Sequence, residues 1–246
     1  MRIGVDEAGR GPAIGPLVVA AFAAPSAEID SLLALGVDDS KALSRSQRLR
    51  VETALTAGAE AGRWSYGIVE ASAERIDRAM SVQSLNDLEV VLFAEAISSI
   101  DGGLEGTVSK VLALDACDTD AERFGRRVQA RLDDRWSDWH VDSQHGMDAR
   151  DVIVGAASII AKVSRDAAIE RLSESLGFSV GSGYPSDPAT VSAIERLVMD
   201  EAPHPALRWR WAPVRRAWRL RHHCAAPDRP APEDGRIGDQ ATLDRF

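Results

Sequence analysis

Four acidic residues lie at the ends of predicted structural elements, far apart in the chain. Asp6 and Glu7 stand where an apolar strand ends. Asp115 ends a second apolar strand, and Asp148 precedes a long predicted helix. Converging carboxylates could hold Mg²⁺, and two ions about 3.5–4 Å apart would support phosphodiester cleavage. Taken singly, each acid is more often a turn residue or a helix cap, and spacing alone leaves that alternative open.

The adjacent pair Asp6 and Glu7 raises a geometric question. Neighbouring side chains of a regular strand point to opposite faces of the sheet. Both carboxylates can therefore reach one site only if the chain bends there. The glycine-rich stretch 9–15 supplies such a bend, because glycine tolerates positive φ and close backbone approach.

The elements that would position these acids alternate between strands and helices. Apolar patterning predicts strands at residues 1–6, 17–22, 64–69, 110–114 and 139–141. Helical periodicity and capping signals predict helices over residues 44–62, 73–80, 84–100, 121–132, 155–176 and 188–200. The order predicts an α/β fold, in which a mixed sheet is flanked by helices. We expect a catalytic domain over residues 1–200.

The charge of the chain is unevenly distributed. A net charge of −9 alone argues against a nucleic-acid-binding protein. Residues 203–223, however, hold six arginines, three tryptophans and no acid, which suits a helical segment that meets a phosphate backbone. Alternatively, the tryptophans dock this segment on the domain while the arginines meet acidic groups. Residues 224–246 turn to Pro, Gly and charge, which predicts a flexible tail.

Composition also limits the class of protein. No apolar run approaches the roughly 18–20 residues of a membrane span, and a signal-peptide core is missing, so we expect a cytoplasmic location. Cys117 and Cys224 fit neither a disulfide framework nor a zinc motif. Only three lysines accompany 26 arginines. An acidic, lysine-poor chain is typical of a salt-rich cytoplasm, although a GC-rich genome would also explain the arginine bias.

Ordered motifs run along the chain from residue 3 to about residue 220. They are residues 4–12 (GVDEAGRGP), 15–18 (GPLV), 39–41 (DSK), 86–89 (NDLE), 114–116 (LDA), 156–163 (AASIIAKV), 181–188 (GSGYPSDP) and 213–218 (PVRRAW). Together they resemble the motifs of the type 2 ribonucleases H, the ribonuclease HII family, in their archaeal form. The resemblance implies a ribonuclease H-like fold with a C-terminal helical subdomain.

The same resemblance implies an activity and its cofactors. Members are endonucleases that hydrolyse the RNA strand of RNA–DNA hybrids and cut 5′ to ribonucleotides embedded in duplex DNA, with roles in primer removal and repair. Asp6, Glu7, Asp115 and Asp148 are implied as the ligands of two Mg²⁺ or Mn²⁺ ions. The chain departs from the family pattern two residues before Asp148, because relatives commonly read Glu-His-Lys-Ala-Asp where this chain reads QHGMD. Asp151 is the alternative fourth acid, or it is a helix cap.

Substrate contacts are implied as well. The backbone groups of Gly9, Arg10 and Gly11 would contact the 2′-hydroxyl that separates RNA from DNA. Tyr184 would stack on the sugar that follows the ribonucleotide. Without the family motifs, the glycines would be read as a tight turn and the tyrosine as a core residue.

Two lysines are the candidate phosphate contacts. Lys162 lies four residues after Ser158, so the two side chains share one helical face near the acids. Lys41 belongs to the DSK motif and would hold another phosphate. The alternative is that these lysines are solvated surface residues.

The last residues resemble the clamp-binding peptide of replication proteins. Gln240, Leu243 and Phe246 have its spacing, with an aliphatic residue at +3 and an aromatic residue at +6. The motif predicts a sliding clamp as a partner of an otherwise monomeric enzyme. Three other functions stay open: a type 3 ribonuclease H, a non-catalytic hybrid-binding or adaptor protein, and a DNA-resolving nuclease on the same fold.

Overall fold

The computed structural model describes residues 1–37, 43–100 and 109–230. In this part of the chain the strands are β1 (Arg2–Ala8), β2 (Leu17–Ala24), β3 (Ser65–Ala71), β4 (Val111–Asp115) and β5 (His140–Gln144). The α-helices are α1 (Ile29–Ala34), α2 (Arg45–Glu60), α3 (Ala73–Ala79), α4 (Leu85–Ser98), α5 (Ala121–Gln129), α6 (Val152–Leu176), α7 (Pro188–Leu197) and α8 (Ala212–His222). Short 3₁₀ helices cover Ser26–Glu28, Asp134–Trp136 and Met147–Ala149.

The five strands form one mixed sheet in the order β3-β2-β1-β4-β5. β2 pairs antiparallel with both β1 and β3, whereas β4 pairs parallel with β1 and β5. In the parallel pair, Val5 lies opposite Leu114. The carboxyl ends of β1 and β4 therefore meet at one edge of the sheet, where Asp6 and Asp115 lie. This mixed sheet flanked by helices confirms the predicted α/β class.

Helices cover both faces of the sheet, and the alternation of side chains along β2 divides the core between them. Leu17 and Val19 pack on the face covered by α3, α4 and α5. Val18 and Phe22 pack on the other face, against α1, α2 and α6. Every residue of β2 is buried, as expected for a strand that is covered on both sides. In the described ranges, no helix is long and apolar enough to cross a membrane.

The predicted capping signals are present. Ser44 and Gln47 form a capping box at the start of α2, and Asp187 caps α7 ahead of Pro188. The helix α6 ends at Gly177, as predicted, but begins at residue 152 instead of 155. It begins earlier because Asp151 accepts hydrogen bonds from the first free amides of the helix.

The C-terminal segment packs on the domain through a third apolar cluster. Trp209, Val214 and Trp218 are buried there with Ile14 and Leu207. The tryptophans therefore dock the segment, which was one of the two alternatives. Four of the six arginines remain exposed: Arg215, Arg216, Arg219 and Arg221. Among them, Arg215 lies 3.9 Å from Asp228 Oδ1.

The docked region extends into the stretch that composition marks as a flexible tail. Arg229 forms an ion pair with the buried Asp77 of α3 at 2.8 Å, and its side chain is itself buried. Asp77 also accepts from the backbone amides of Trp209 and Arg210. The expectation of a flexible chain from residue 224 onward is therefore wrong at Arg229, because this buried pair attaches the chain to α3.

Candidate active site

Three of the four predicted acids meet at the edge of the sheet. One oxygen from each of Asp6, Asp115 and Asp148 lies within 4.8 Å of the others. Asp6 and Asp148 are buried, whereas Asp115 is half-buried. The parallel pairing of β1 with β4 places the first two acids side by side, and the 3₁₀ helix before α6 supplies the third. We call these residues the acid group.

Backbone amides orient Asp115 within the acid group. Its Oδ1 accepts hydrogen bonds from the amides of Gly146 at 2.7 Å and Met147 at 3.2 Å. Gly146 has a φ of 65°, in the left-handed region that favours glycine. The residue that stands where relatives commonly have lysine thus shapes the turn that joins Asp115 to Asp148.

Glu7 lies beside the acid group but is not one of its three members. The predicted strand end at Asp6 is wrong, since β1 continues to Ala8 with Glu7 in register with Val19. The bend comes later, at Gly9, which has a φ of 95°. Burial raises the pKa of Glu7 well above its usual value, and the charges of Asp6, Glu89 and Asp115 raise it further.

The acid group is electrostatically strained when no cation is bound. Burial raises the pKa of Asp6 to about 6, while a hydrogen bond with Ser158 opposes the shift and the charge of Asp115 adds to it. Carboxylates at this spacing repel each other, and hard oxygen donors are what Mg²⁺ and Mn²⁺ prefer. The donor set therefore fits a divalent cation.

Ser158 and Lys162 of α6 both reach the acid group. The Lys162 ammonium donates to Ser158 Oγ at 2.7 Å and lies 3.8 Å from Asp148 Oδ2. Ser158 is fully buried. The alternative of a solvated lysine is therefore wrong for Lys162. Asp151, the other candidate for the fourth acid, caps α6 and pairs with Arg2 instead.

The glycine-rich loop of residues 9–15 lies against the loop of residues 181–188, which carries Tyr184. Ala13 donates its amide proton to the carbonyl of Gly183 at 2.8 Å. A Cβ atom on Gly9 would lie 2.5 Å from Arg165 Nε, so this close approach requires glycine. The Arg165 guanidinium lies 5.0 Å from the centre of the Tyr184 ring, which is 39% exposed. Tyr184 is thus displayed next to the loop.

The side chain of Arg10 is held by α4. Its Nε donates to Glu89 Oε1 at 2.8 Å, and its Nη2 donates to Asn86 Oδ1 at 2.6 Å. Glu89 is fully buried, and burial raises its pKa while Arg10 opposes that shift. Sequence reasoning gave Glu89 no role. The available signal was an acid inside the apolar run LEVVL of residues 88–92.

Arg208 is a second residue whose role the sequence did not reveal. The basic composition of residues 203–223 predicts that Arg208 meets a phosphate backbone, yet it is fully buried. Its guanidinium donates to the carbonyl oxygens of Gly9, Arg10 and Gly15. The prediction that Arg208 contacts the phosphate backbone of a nucleic acid is wrong, because its guanidinium donors are already bound to carbonyl groups of the loop.

The remaining predicted residues lie outside the described part of the chain. They are Lys41 of the DSK motif and the three tail residues, Gln240, Leu243 and Phe246. Their proposed contacts with phosphate and with a sliding clamp stay predictions.

Comparison with known proteins extends the resemblance to the whole domain. Residues 3–214 match the family model of ribonuclease HII. The ribonuclease HII of Haloarcula marismortui is 42% identical over 219 residues, which are 89% of this chain and 92% of that protein. The ribonuclease H2 from Pyrococcus horikoshii OT3 has a TM-score of 0.75 at 35% identity, covering 89% of this chain and 97% of that one.

A third match comes from a complex. A chain in the structure of the PCNA:RNase HII complex from Archaeoglobus fulgidus has a TM-score of 0.74 at 33% identity. The match covers 88% of this chain and 96% of that chain. These likenesses confirm the ribonuclease H-like fold and favour the type 2 enzymes over the type 3 alternative. The chain belongs to the ribonuclease HII family, whose members are ribonuclease H enzymes.

Proposed function

We propose that this chain is an endonuclease that hydrolyses the RNA strand of RNA–DNA hybrids and cuts on the 5′ side of ribonucleotides embedded in duplex DNA. The observation that carries the proposal is the convergence of Asp6, Asp115 and Asp148 within 4.8 Å of one another. The loop of residues 9–11 follows directly after β1, so a group that can read a ribose lies next to a group that can support hydrolysis.

The acid group is proposed to bind Mg²⁺ or Mn²⁺, with Glu7 as a fourth ligand for a pair of ions. When bound, such ions lower the pKa of a water molecule and stabilise the developing charge on the leaving 3′-oxygen. Asp115 is already oriented by two backbone amides, and Ser158 hydrogen-bonds Asp6. The ligands therefore need little rearrangement on binding, which favours a preorganised site.

Lys162 is proposed to bind the phosphate at the cleavage position. Its ammonium lies 3.8 Å from Asp148, close enough to the acid group to neutralise part of its charge. When cations and substrate enter, the same ammonium can turn to a non-bridging phosphate oxygen. Lys41 is proposed as a second phosphate contact.

Ribose recognition is proposed for the loop of residues 9–11 together with Tyr184. The amides of Arg10 and Gly11 would donate to the 2′-hydroxyl, which DNA lacks. The exposed ring of Tyr184 would stack on the next sugar. The guanidinium of Arg165, 5.0 Å from the ring centre, limits the orientation of that ring.

The exposed arginines of α8 are proposed to bind the duplex backbone. Arg215, Arg216, Arg219 and Arg221 are all exposed in the segment that packs on the domain through the third apolar cluster. Arginine binds phosphate through two parallel hydrogen bonds, so such a helix could hold one strand. This assignment keeps the proposed division into a catalytic domain over 1–200 and a basic segment over 201–223.

A sliding clamp is the proposed protein partner. The similar chain from Archaeoglobus fulgidus was solved as a PCNA:RNase HII complex. In this chain, Gln240, Leu243 and Phe246 have the spacing that would dock a short turn into a hydrophobic pocket. Deleting residues 240–246 should abolish binding to the clamp and leave cleavage of short duplexes unchanged. Clamp binding that survives the deletion would contradict the assignment. That the enzyme is monomeric and cytoplasmic stays a prediction.

The activity is tested with duplexes that differ in a single hydroxyl group. The purified chain is incubated with duplex DNA that holds one ribonucleotide, with the all-DNA duplex, and with a long hybrid, in Mg²⁺ or Mn²⁺ across a range of KCl concentrations. We expect cleavage 5′ to the ribonucleotide, and none in the all-DNA duplex or in chelator.

Each other outcome contradicts a named part of the proposal. Cleavage of the long hybrid alone would remove the role of Tyr184 at the junction and keep the acid group. Cleavage of the all-DNA duplex would favour a DNA-resolving nuclease. Binding without cleavage under all conditions would favour the hybrid-binding or adaptor protein.

A further inference from the structure

Arg208 connects the C-terminal segment to the glycine-rich loop. Its Nε donates to the carbonyl of Gly15 at 3.1 Å, its Nη1 to that of Arg10 at 2.9 Å, and its Nη2 to that of Gly9 at 2.6 Å. The backbone amide of Arg208 donates to the carbonyl of Ala13 at 2.9 Å. A single residue thus binds four carbonyl groups of the loop over residues 9–15.

Because Arg208 is buried, water cannot replace these hydrogen bonds if they are lost. The side chain is fully buried, with its guanidinium 5.0 Å from the centre of the Trp211 ring. Burial lowers the pKa of Arg208 to about 9, which still leaves it protonated at neutral pH. A buried carbonyl that loses its donor is left without a hydrogen-bond partner, which is unfavourable, so the loop conformation depends on this contact. Lysine could not reproduce it, because the fork of guanidinium donors is planar and fixed.

The two carbonyls of Gly9 and Arg10 determine where the following amides point. In a trans peptide group, the C=O and the N–H bonds point in opposite directions. The described chain contains no cis peptide bond. Since the carbonyls of Gly9 and Arg10 point inward to Arg208, the amides of Arg10 and Gly11 point outward. Those are the amides that would donate to a 2′-hydroxyl.

The loop is also held on its other sides. The side chain of Arg10 is bound by Glu89 and Asn86 of α4. Gly15 donates its amide proton to the carbonyl of Ala206 at 3.0 Å. These contacts limit where the loop lies, but Arg208 is the residue whose donors turn the two peptide groups.

We propose that Arg208 is a positioning residue for ribose recognition: it turns the peptide groups of Gly9 and Arg10 so that the next two amides face the substrate. The inference rests on the proposed function, since it names the residue that orients the ribose-reading groups. It also gives the C-terminal segment a part in substrate choice, in addition to any contact with the duplex backbone.

The chain offers a matched control in Arg229. Arg229 is also a buried arginine, lies over the ring of Trp209, and donates to the backbone carbonyls of Pro205 and Leu207. It anchors the same C-terminal segment without touching the loop. Replacing either arginine by methionine removes buried hydrogen bonds from this segment, but only the change at Arg208 releases the peptide groups of the loop.

The test compares the variants Arg208→Met and Arg229→Met in an Asp115→Asn background, where bound duplex is not cut. Affinities are measured for two duplexes of one sequence, one with a single ribonucleotide and one all DNA. The parent should prefer the ribonucleotide. Because a displacement of about 1 Å can cost up to about 10²-fold, we expect Arg208→Met to reduce this preference by about tenfold or more. Affinity for the all-DNA duplex should stay nearly unchanged.

The control variant shows how much the preference for the ribonucleotide changes when the C-terminal segment is merely destabilised. Arg229→Met should lower the melting temperature and leave the preference for the ribonucleotide as in the parent. A preference in Arg208→Met equal to that in Arg229→Met would overturn the inference. If Arg208→Met does not fold, Arg208→Lys carries the test, with a partial loss of preference expected and an unchanged preference overturning it.

The failure of the proposed function is distinguishable from the failure of this inference. A parent that binds both duplexes equally would contradict ribose recognition itself, and the role of Arg208 would fall with it. A parent that prefers the ribonucleotide, with Arg208 variants that do so equally well, would contradict the inference alone.

Discussion

The acid group and the glycine-rich loop lie next to each other at the end of β1 but are held in place in different ways. The acids are positioned by regular elements: the parallel register of β1 with β4, and the turn that leads into α6. The loop is positioned by side chains from remote segments, with Glu89 on one side and Arg208, almost two hundred residues away in sequence, on the other.

This difference suggests that the rate of cleavage and the preference between substrates depend on different residues. A substitution in the acid group removes a ligand while the strands that carry it remain paired, so activity falls and the fold stays. A substitution in the contacts that hold the loop changes where the backbone groups point. We therefore expect it to alter substrate preference more than the rate of cleavage. The predictions below test this division, beginning with the largest expected effect.

Replacing Asp115 by Asn should remove nearly all cleavage. The amide keeps the shape of the side chain but loses the charge of a metal ligand, so we expect a loss of roughly 10³-fold, or about 4 kcal/mol of transition-state stabilisation. The measurement is single-turnover cleavage with excess enzyme, with the fold checked by circular dichroism. Asp120→Asn is the control, because Asp120 caps α5 outside the acid group and Asn is an equally good cap. A variant at Asp115 that keeps most of the activity would contradict the assignment.

Replacing Lys162 by Met should slow cleavage by roughly 10–100-fold, as for other groups that support metal ligands. The ammonium contacts Ser158 and Asp148, so its loss should weaken both the acid group and the grip on phosphate. The rate is measured as a function of metal concentration, where the variant should require more metal. Lys110→Met serves as the control, because Lys110 pairs with Asp138 outside the acid group. Equal effects of the two substitutions would remove the proposed role of Lys162.

Replacing Tyr184 by Ala should reduce kcat/KM for a single embedded ribonucleotide by about tenfold, since aromatic stacking on nucleotides contributes roughly 1–3 kcal/mol. Cleavage of long hybrids should fall less, because such substrates offer many junction-free positions. Tyr184→Phe keeps the ring and separates stacking from the hydroxyl group. If Tyr184→Ala impairs both substrates to the same degree, the tyrosine does not select the junction.

Replacing Arg216 by Ala should have the smallest effect. It should leave the preference for the ribonucleotide-containing duplex unchanged. The exposed guanidinium would contact phosphate, so affinity for all duplexes should fall a few-fold and the salt slope should decrease by about one. The control is Arg126→Ala, an exposed arginine on α5. A loss confined to the ribonucleotide-containing duplex would mean that α8 takes part in selection.

Most of the local structure can be predicted from short stretches of the chain. The capping box of Ser44, the boundary at Gly177 and the strand that ends at Asp115 are all readable because each depends on a few adjacent residues and on backbone chemistry. The acids could be named from the apolar patterning around them and from the family motifs, although β1 continues past Asp6 and Glu7 to Ala8. The proximity of Asp6 and Asp115 follows from the way in which parallel strands share an edge, whereas the 3₁₀ helix before α6 supplies Asp148.

The partners of several charged side chains, in contrast, depend on how remote elements pack together. Whether Arg208 meets phosphate or the carbonyls of Gly9 and Arg10 depends on a contact across the whole chain, and the basic composition of its own segment predicts the wrong partner. The same holds for Arg229, which finds Asp77 from a stretch that reads as flexible, and for Glu89. Burial and pairing of charges are set by packing between remote elements, and no local pattern encodes them.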